Sequence, residues 1–180
     1  MPRARHNTPL VWGATPAEVD AHHRGEKFVQ PGSTRAVRAV DVDADHETVF
    51  LWLCQLRRAP YSYDLVDNLG RRSPRKPDPA MRNLELGQTF MMGFRLVDFE
   101  PGRSLTLMPK AGGATRLMGA QVLTYEARTA QDGRTRLVCV LEIPPKRGIA
   151  RSARLQALLW GDLVMMRKQL RTLASLAERA

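Results

Sequence analysis

The chain has 180 residues, 43% of them hydrophobic, with a formal net charge of +10 and a pI near 10.6. That length suits one domain with a sizeable core, and the apolar content excludes a disordered chain. The apolar runs fall far short of the ~18 residues of a membrane span and the N-terminus lacks a signal-peptide core, so a soluble, cytoplasmic protein is expected. The charge favours anionic partners, but the basic residues are mostly arginine and are spread along the whole chain, as composition drift alone would produce.

Residues 1–33 read as an N-terminal arm, punctuated by Pro2, Pro9, Pro16 and Pro31, ahead of a single domain over 34–180. Within the arm, TPAEVDAHHRG suits one short helix capped by Thr15 with Pro16 at its start. His22 and His23 read there as solvated. From Thr34, RAVRAVDVDA alternates as a strand should, with Val37, Ala39 and the valines beside Asp41. DADHETVFLWLCQLRR then predicts a helix capped by Asp43 or Asp45, with Val49, Trp52, Leu53 and Leu56 on one face. YSYDLVDNLG predicts a second short helix ending at Gly70. Residues 71–87, proline-rich and basic, are long for a structureless connection and read as a lid.

Short apolar runs follow. They predict strands near Gln88–Met92, Gly93–Phe99, Ser104–Met108, Gly119–Arg128 and Thr135–Ile143, with FEPGRS and AQDGRT as hairpin turns. PKAGGATRLM lacks the phosphate-loop pattern and reads as a flexible turn. From Ser152 to Glu178 there is no proline and one glycine, and Leu155, Leu159, Leu163, Met166, Leu170, Leu173 and Ala177 recur every three or four residues. That is one long helix with a continuous apolar face. Strand, two short helices, antiparallel strands and a final long helix make an α+β fold in which a curved sheet wraps around the C-terminal helix.

No constellation demands catalysis. His6, His22, His23 and His46 share no metal-ligand spacing, and no metal or cofactor is expected. A serine-hydrolase elbow is absent from the sequence. Cys54 and Cys139 lie far apart in apolar stretches and read as buried free thiols.

Several stretches, in this order and spacing, carry a family likeness: WGATPAE, PGS, FLWLCQL, YSYDLVDNLG, GRTRLV and VMMRKQLRTLASLAERA. Together they resemble the bacterial SRPBCC proteins of the START-like superfamily, which includes polyketide cyclase-like proteins and lipid carriers. Pro60 stands where those relatives are associated with an aromatic residue. The resemblance implies a helix-grip fold with a cavity for a hydrophobic ligand, and transfers no catalytic set.

In such a fold Trp52, Tyr61, Tyr63, Phe90, Phe94, Tyr125 and Trp160 converge from separate elements, with Gln55 as a polar anchor. The competing reading places most of them in the core. The expected function is binding or transport of a small hydrophobic ligand, a lipid, polyketide or sterol-like molecule. One alternative is a polyketide cyclase or dehydratase-like enzyme using Tyr63 or Asp64 for proton transfer. Another is contact of the basic face with acidic membrane lipids or nucleic acid, without nucleic-acid specificity. Tyr61 to Pro74 reads as a pocket rim, its aromatic half turned inward and its basic half a solvated lip.

Overall fold

A computed structural model describes residues 9–63, 70, 72–112, 119–130, 133–145 and 151–180, with side chains of the last segment from residue 155 onward. The expected helix over YSYDLVDNLG falls largely outside the described residues, as do Arg71 and most of the glycine-rich loop. The strands are β1 (Val11–Trp12), β2 (Thr34–Val42), β3 (Thr89–Phe90), β4 (Phe94–Glu100), β5 (Ser104–Pro109), β6 (Val122–Thr129) and β7 (Thr135–Ile143). The helices are α1 (Pro16–Asp20), α2 (His46–Cys54) and α3 (Arg151–Ala177). The strands form one sheet in the order β1-β2-β7-β6-β5-β4-β3, parallel between β1 and β2 and antiparallel elsewhere. A sheet that does not close, gripping a long C-terminal helix, is the helix-grip fold expected from the sequence.

Local chemistry sets the boundaries. Thr15 closes a reciprocal capping box with Glu18 at the start of α1, and Pro16 occupies the first turn. Asp45 caps α2 through the Thr48 amide. A β-bulge between Leu96 and Asp98 shifts the β4–β5 register. α2 differs from its expected amphipathic pattern. Every residue from Val49 to Cys54 is buried, because the helix lies between β6 and β7 on one side and α3 on the other.

Both faces of β2 are covered. Ala36 and Val42 join the main core under α2 and α3, while Val37 and Ala39 pack with Val138, Val140 and Val19 on the opposite face. Residues 9–33 provide that second cover. Gly13 takes φ +70° with its Cα so near the Ala39 carbonyl that a Cβ would come within 2.1 Å of the oxygen, so only glycine lets the segment lie this close.

His22 is exposed, but His23 is buried, contrary to its solvated reading. Its Nδ1 lies 3.3 Å from Thr124 Oγ1 and its Nε2 3.4 Å from Glu142 Oε1. Arg35 donates from Nε to the same Glu142 oxygen at 2.6 Å. The polar sequence around His23 concealed a tertiary contact that needs the sheet to exist first.

α3 buries Leu159, Leu163, Met166, Leu170 and Leu173, following the predicted stripe, while Leu155 is half-buried. Leu170→Ala should cost ~2–5 kcal/mol in urea unfolding. Val164→Ala, on the exposed side of the same helix, should stay within ~0.5 kcal/mol of the parent. Equal effects at the two positions would contradict the packing described.

Candidate functional site

The sheet register aligns a row of side chains across the face beneath α3. Arg38 stands opposite Cys139, Cys139 opposite Tyr125, and Tyr125 opposite Leu105. Arg38 is fully buried. Its guanidinium donates to Leu10 O at 2.8 Å, to Pro9 O at 2.5 Å and to Asp162 Oδ2 on α3 at 3.1 Å. Burial raises the Asp162 carboxyl to about 6, outweighing the pull of the Arg38 guanidinium beside it. The same loss of water lowers Arg38.

Further along the row, Tyr125 donates its hydroxyl to Gln169 Oε1 at 2.6 Å, and Gln169 Nε2 donates to Pro60 O at 2.6 Å. This relay joins sheet, long helix and the segment entering Tyr61. Burial pushes the Tyr125 phenol well up and the Cys54 thiol to about 12, so neither ionises near neutrality. The Cys139 thiol is raised too, first by burial.

The expected binding residues divide by location. Trp52, Tyr61, Phe90 and Tyr125 are buried among apolar neighbours, and Trp52 meets Tyr61 edge-on at 5.9 Å between ring centroids. Gln55 is buried and donates to Lys76 O at 3.1 Å, so it ties the end of α2 to the basic loop. Phe94 is half-buried against the core. Tyr63 and Trp160 face outward, 42% and 51% exposed. Asp64 lies outside the described residues. Residues 72–87 are fastened to α2 and the turn after it: Arg82 donates to Glu47 O, Arg57 to Met81 O and Asn83 O, and Arg58 pairs with Asp78 at 3.1 Å. Lid movement would have to break these contacts.

Tyr61 does border a cleft. A concavity of about 370 Å³ opens between Tyr61, Ser62, Ser73 and Arg75 on one side and the C-terminal half of α3 on the other. Tyr61 and Leu176 supply its apolar wall, and Ser62 and Thr172 place hydroxyls beside them. The remaining wall is strongly basic. Tyr61 holds φ +55°, a left-handed conformation that is strained for a tyrosine and is secured by its packing on Trp52.

Arg38, Asp162 and Gln169 were missed by sequence reasoning. A signal existed for two of them. Arg38 falls on the same strand face as Ala36 and Val42, and Gln169 flanks the apolar stripe beside Leu170 and Leu173. A charged or amide side chain on an otherwise apolar face needs a partner.

Among the described residues, no group of three or more potential ligands could hold a metal ion, and no helix is long and apolar enough to cross a membrane. No family model and no curated protein matches the chain. Solved structures of similar fold include a protein of Mesorhizobium loti, at 14% identity and TM-score 0.49, covering 81% of this chain and 98% of that one. The Zhui aromatase/cyclase of a Streptomyces species is 18% identical at TM-score 0.46, covering 82% and 94%. A ginseng major latex-like protein is 11% identical at TM-score 0.47, covering 79% and 96%. The fold assignment stands on the topology above.

Asp162 carries a pH signature. Its folded pKa of about 6 exceeds the usual 3.8, so the folded chain holds this proton more tightly than the unfolded one. Its contribution to stability is full below about pH 4 and is lost as pH rises through 6. Asp162→Asn removes that titration and keeps an acceptor for Arg38. Relative to the parent, the variant should gain on the order of 2 kcal/mol between about pH 4 and pH 7 in denaturant unfolding. A difference that is constant with pH, or falls, would contradict the raised carboxyl.

Proposed function

We propose that the protein binds a small molecule with an apolar body and does not transform it, with the cleft between Tyr61 and the C-terminal half of α3 as the entry. The observation that carries this reading is the cleft itself. Its volume of about 370 Å³ lies within the usual ~300–1,000 Å³ of small-molecule sites, and Tyr61 and Leu176 give it an apolar wall against the sheet–helix interior.

The chemistry of the lining supports binding over catalysis. General acid–base work needs a group of suitable pKa within hydrogen-bond reach of the ligand. Among the described lining residues there is no carboxylate, imidazole or thiol. Asp162, the one carboxyl raised towards neutrality among the described residues, is held by Arg38 under the middle of α3, outside this lining.

The test is titration with 1-N-phenylnaphthylamine, a neutral apolar fluorophore, followed by displacement with flat polyketides and sterols. The parent protein should enhance its emission. Thr172→Trp, which fills the cleft from a half-buried helix position, should weaken binding at least tenfold. Unchanged affinity in that variant, or no binding by the parent, contradicts the reading. Tyr63→Phe separates binder from enzyme. A binder loses at most one hydrogen bond, ~0.5–1.5 kcal/mol of affinity. An enzyme using that hydroxyl for proton transfer loses ~10²–10⁴-fold in rate.

A further inference from the structure

The acids and bases of this chain are not mixed evenly. Around residues 13–42 and the outer face of the sheet, six carboxylates are committed to particular cations. Glu18 and Asp41 hold Arg136, Glu142 and Glu26 hold Arg35, and Asp98 and Glu100 hold Arg24, Asp98 also holding Lys27. The C-terminal half of α3 is the opposite. From Leu163 to Ala180 its one acid is Glu178, whose Oε1 accepts from the Asp43 amide. Of the four cations in that stretch, Lys168, Arg171 and Arg179 line the cleft and Arg75 faces them from the loop, while Arg167 sits over the Trp12 ring. No described carboxylate lines it with them.

We propose that this cleft is a phosphate-binding site, taking a ligand that carries a phosphate monoester or diphosphate. The proposal rests on the cleft identified above and adds the head-group chemistry of its ligand. Four cations converging on one concavity repel one another, and a multiply charged anion relieves that repulsion while accepting from several donors at once. The Ser175 hydroxyl, which accepts from Arg179, keeps its hydrogen as a donor of the kind phosphate oxygens accept, whereas Thr172 donates its own to Lys168 O.

Two contacts hold the array in place before any ligand arrives. The Arg171 guanidinium sits 5.3 Å from the Trp12 ring centroid. Arg179 donates from Nε to Ser175 O at 2.7 Å and from Nη2 to Ser175 Oγ at 2.7 Å. The partial negative charge of the helix C-terminus opposes an anion here, but it amounts to about half an elementary charge against four full ones.

The phosphate could belong to a lipid headgroup or to a soluble metabolite, and two probes distinguish the sources. Inorganic pyrophosphate, titrated calorimetrically into the full chain at near-physiological salt, reports a soluble phosphate. Sedimentation with phosphatidylcholine vesicles, with and without phosphatidic acid, reports a headgroup. Both are repeated with Arg75→Gln/Lys168→Gln, and with Arg95→Gln/Arg103→Gln as a control of equal charge loss on the β4–β5 hairpin. All four positions are exposed, so the variants should keep the parental melting temperature.

At least one probe should bind the parent. The cleft variant should raise its dissociation constant about tenfold or more, and the control less than about twofold. Equal losses in both variants would show diffuse attraction to a +10 chain and overturn the site, as would absence of binding by either probe. Phenylnaphthylamine titration of the same variants keeps the two readings apart. Pyrophosphate binding without fluorophore binding sinks the apolar-ligand reading and leaves the phosphate site standing. The reverse sinks the phosphate site alone.

Discussion

A fully buried arginine governs how this chain closes on itself. Removing a guanidinium from water costs several kcal/mol unless its donors are met. On the helix-facing side of β2, acceptors must therefore come to Arg38 from elsewhere in the chain. The carbonyls of Pro9 and Leu10 come from the strand segment that adds in parallel at the sheet edge, and the Asp162 carboxylate comes from the long helix. One side chain thus ties the N-terminal segment, the sheet and α3. The Tyr125–Gln169–Pro60 relay ties sheet and helix again about two turns further along α3, and fixes the chain as it enters Tyr61. The cleft opens beside the second of these ties, where Tyr61 and Lys168 adjoin Pro60 and Gln169, so that part of its wall is built on fixed elements.

The elements were legible where one rule decides them. The α3 stripe, the Asp45 cap and the alternation from Thr34 each depend on local spacing, and each holds. What the sequence obscured depends on partners distant in the chain. His23 sits in a polar stretch, and only the approach of Thr124 and Glu142 buries it. Residues 1–33 read as an arm because their prolines break local periodicity, yet within the described part Gly13 and Gly25 bring the backbone into close contact with the sheet. Aromatic residue type predicted proximity without predicting access. Trp52, Phe90 and Tyr125 satisfy the same hydrophobic pattern whether they line a void or fill it, and here their neighbours enclose them.

The net charge acquires a location once the ion pairs are drawn. Arginines along β2 and β7 are held by carboxylates, so much of the basic composition serves to fasten the outer face. Excess positive charge collects where α3 runs without acids, beside an apolar wall. A ligand with an apolar body and a phosphate head satisfies both halves of that wall, the body against Tyr61 and Leu176 and the head against the cations. Binding of this kind needs no proton transfer, in keeping with a lining that lacks carboxylate, imidazole and thiol among the described residues.

The most direct test of that account is a native mass spectrum of the full chain, freshly purified at low salt, beside the spectrum of the same sample after unfolding. The account predicts a heavier native species whose extra mass leaves on unfolding and belongs to a phosphorus-containing molecule with an apolar portion. A bare 20.2 kDa chain that acquires no adduct even after incubation with a phospholipid and metabolite extract would contradict it.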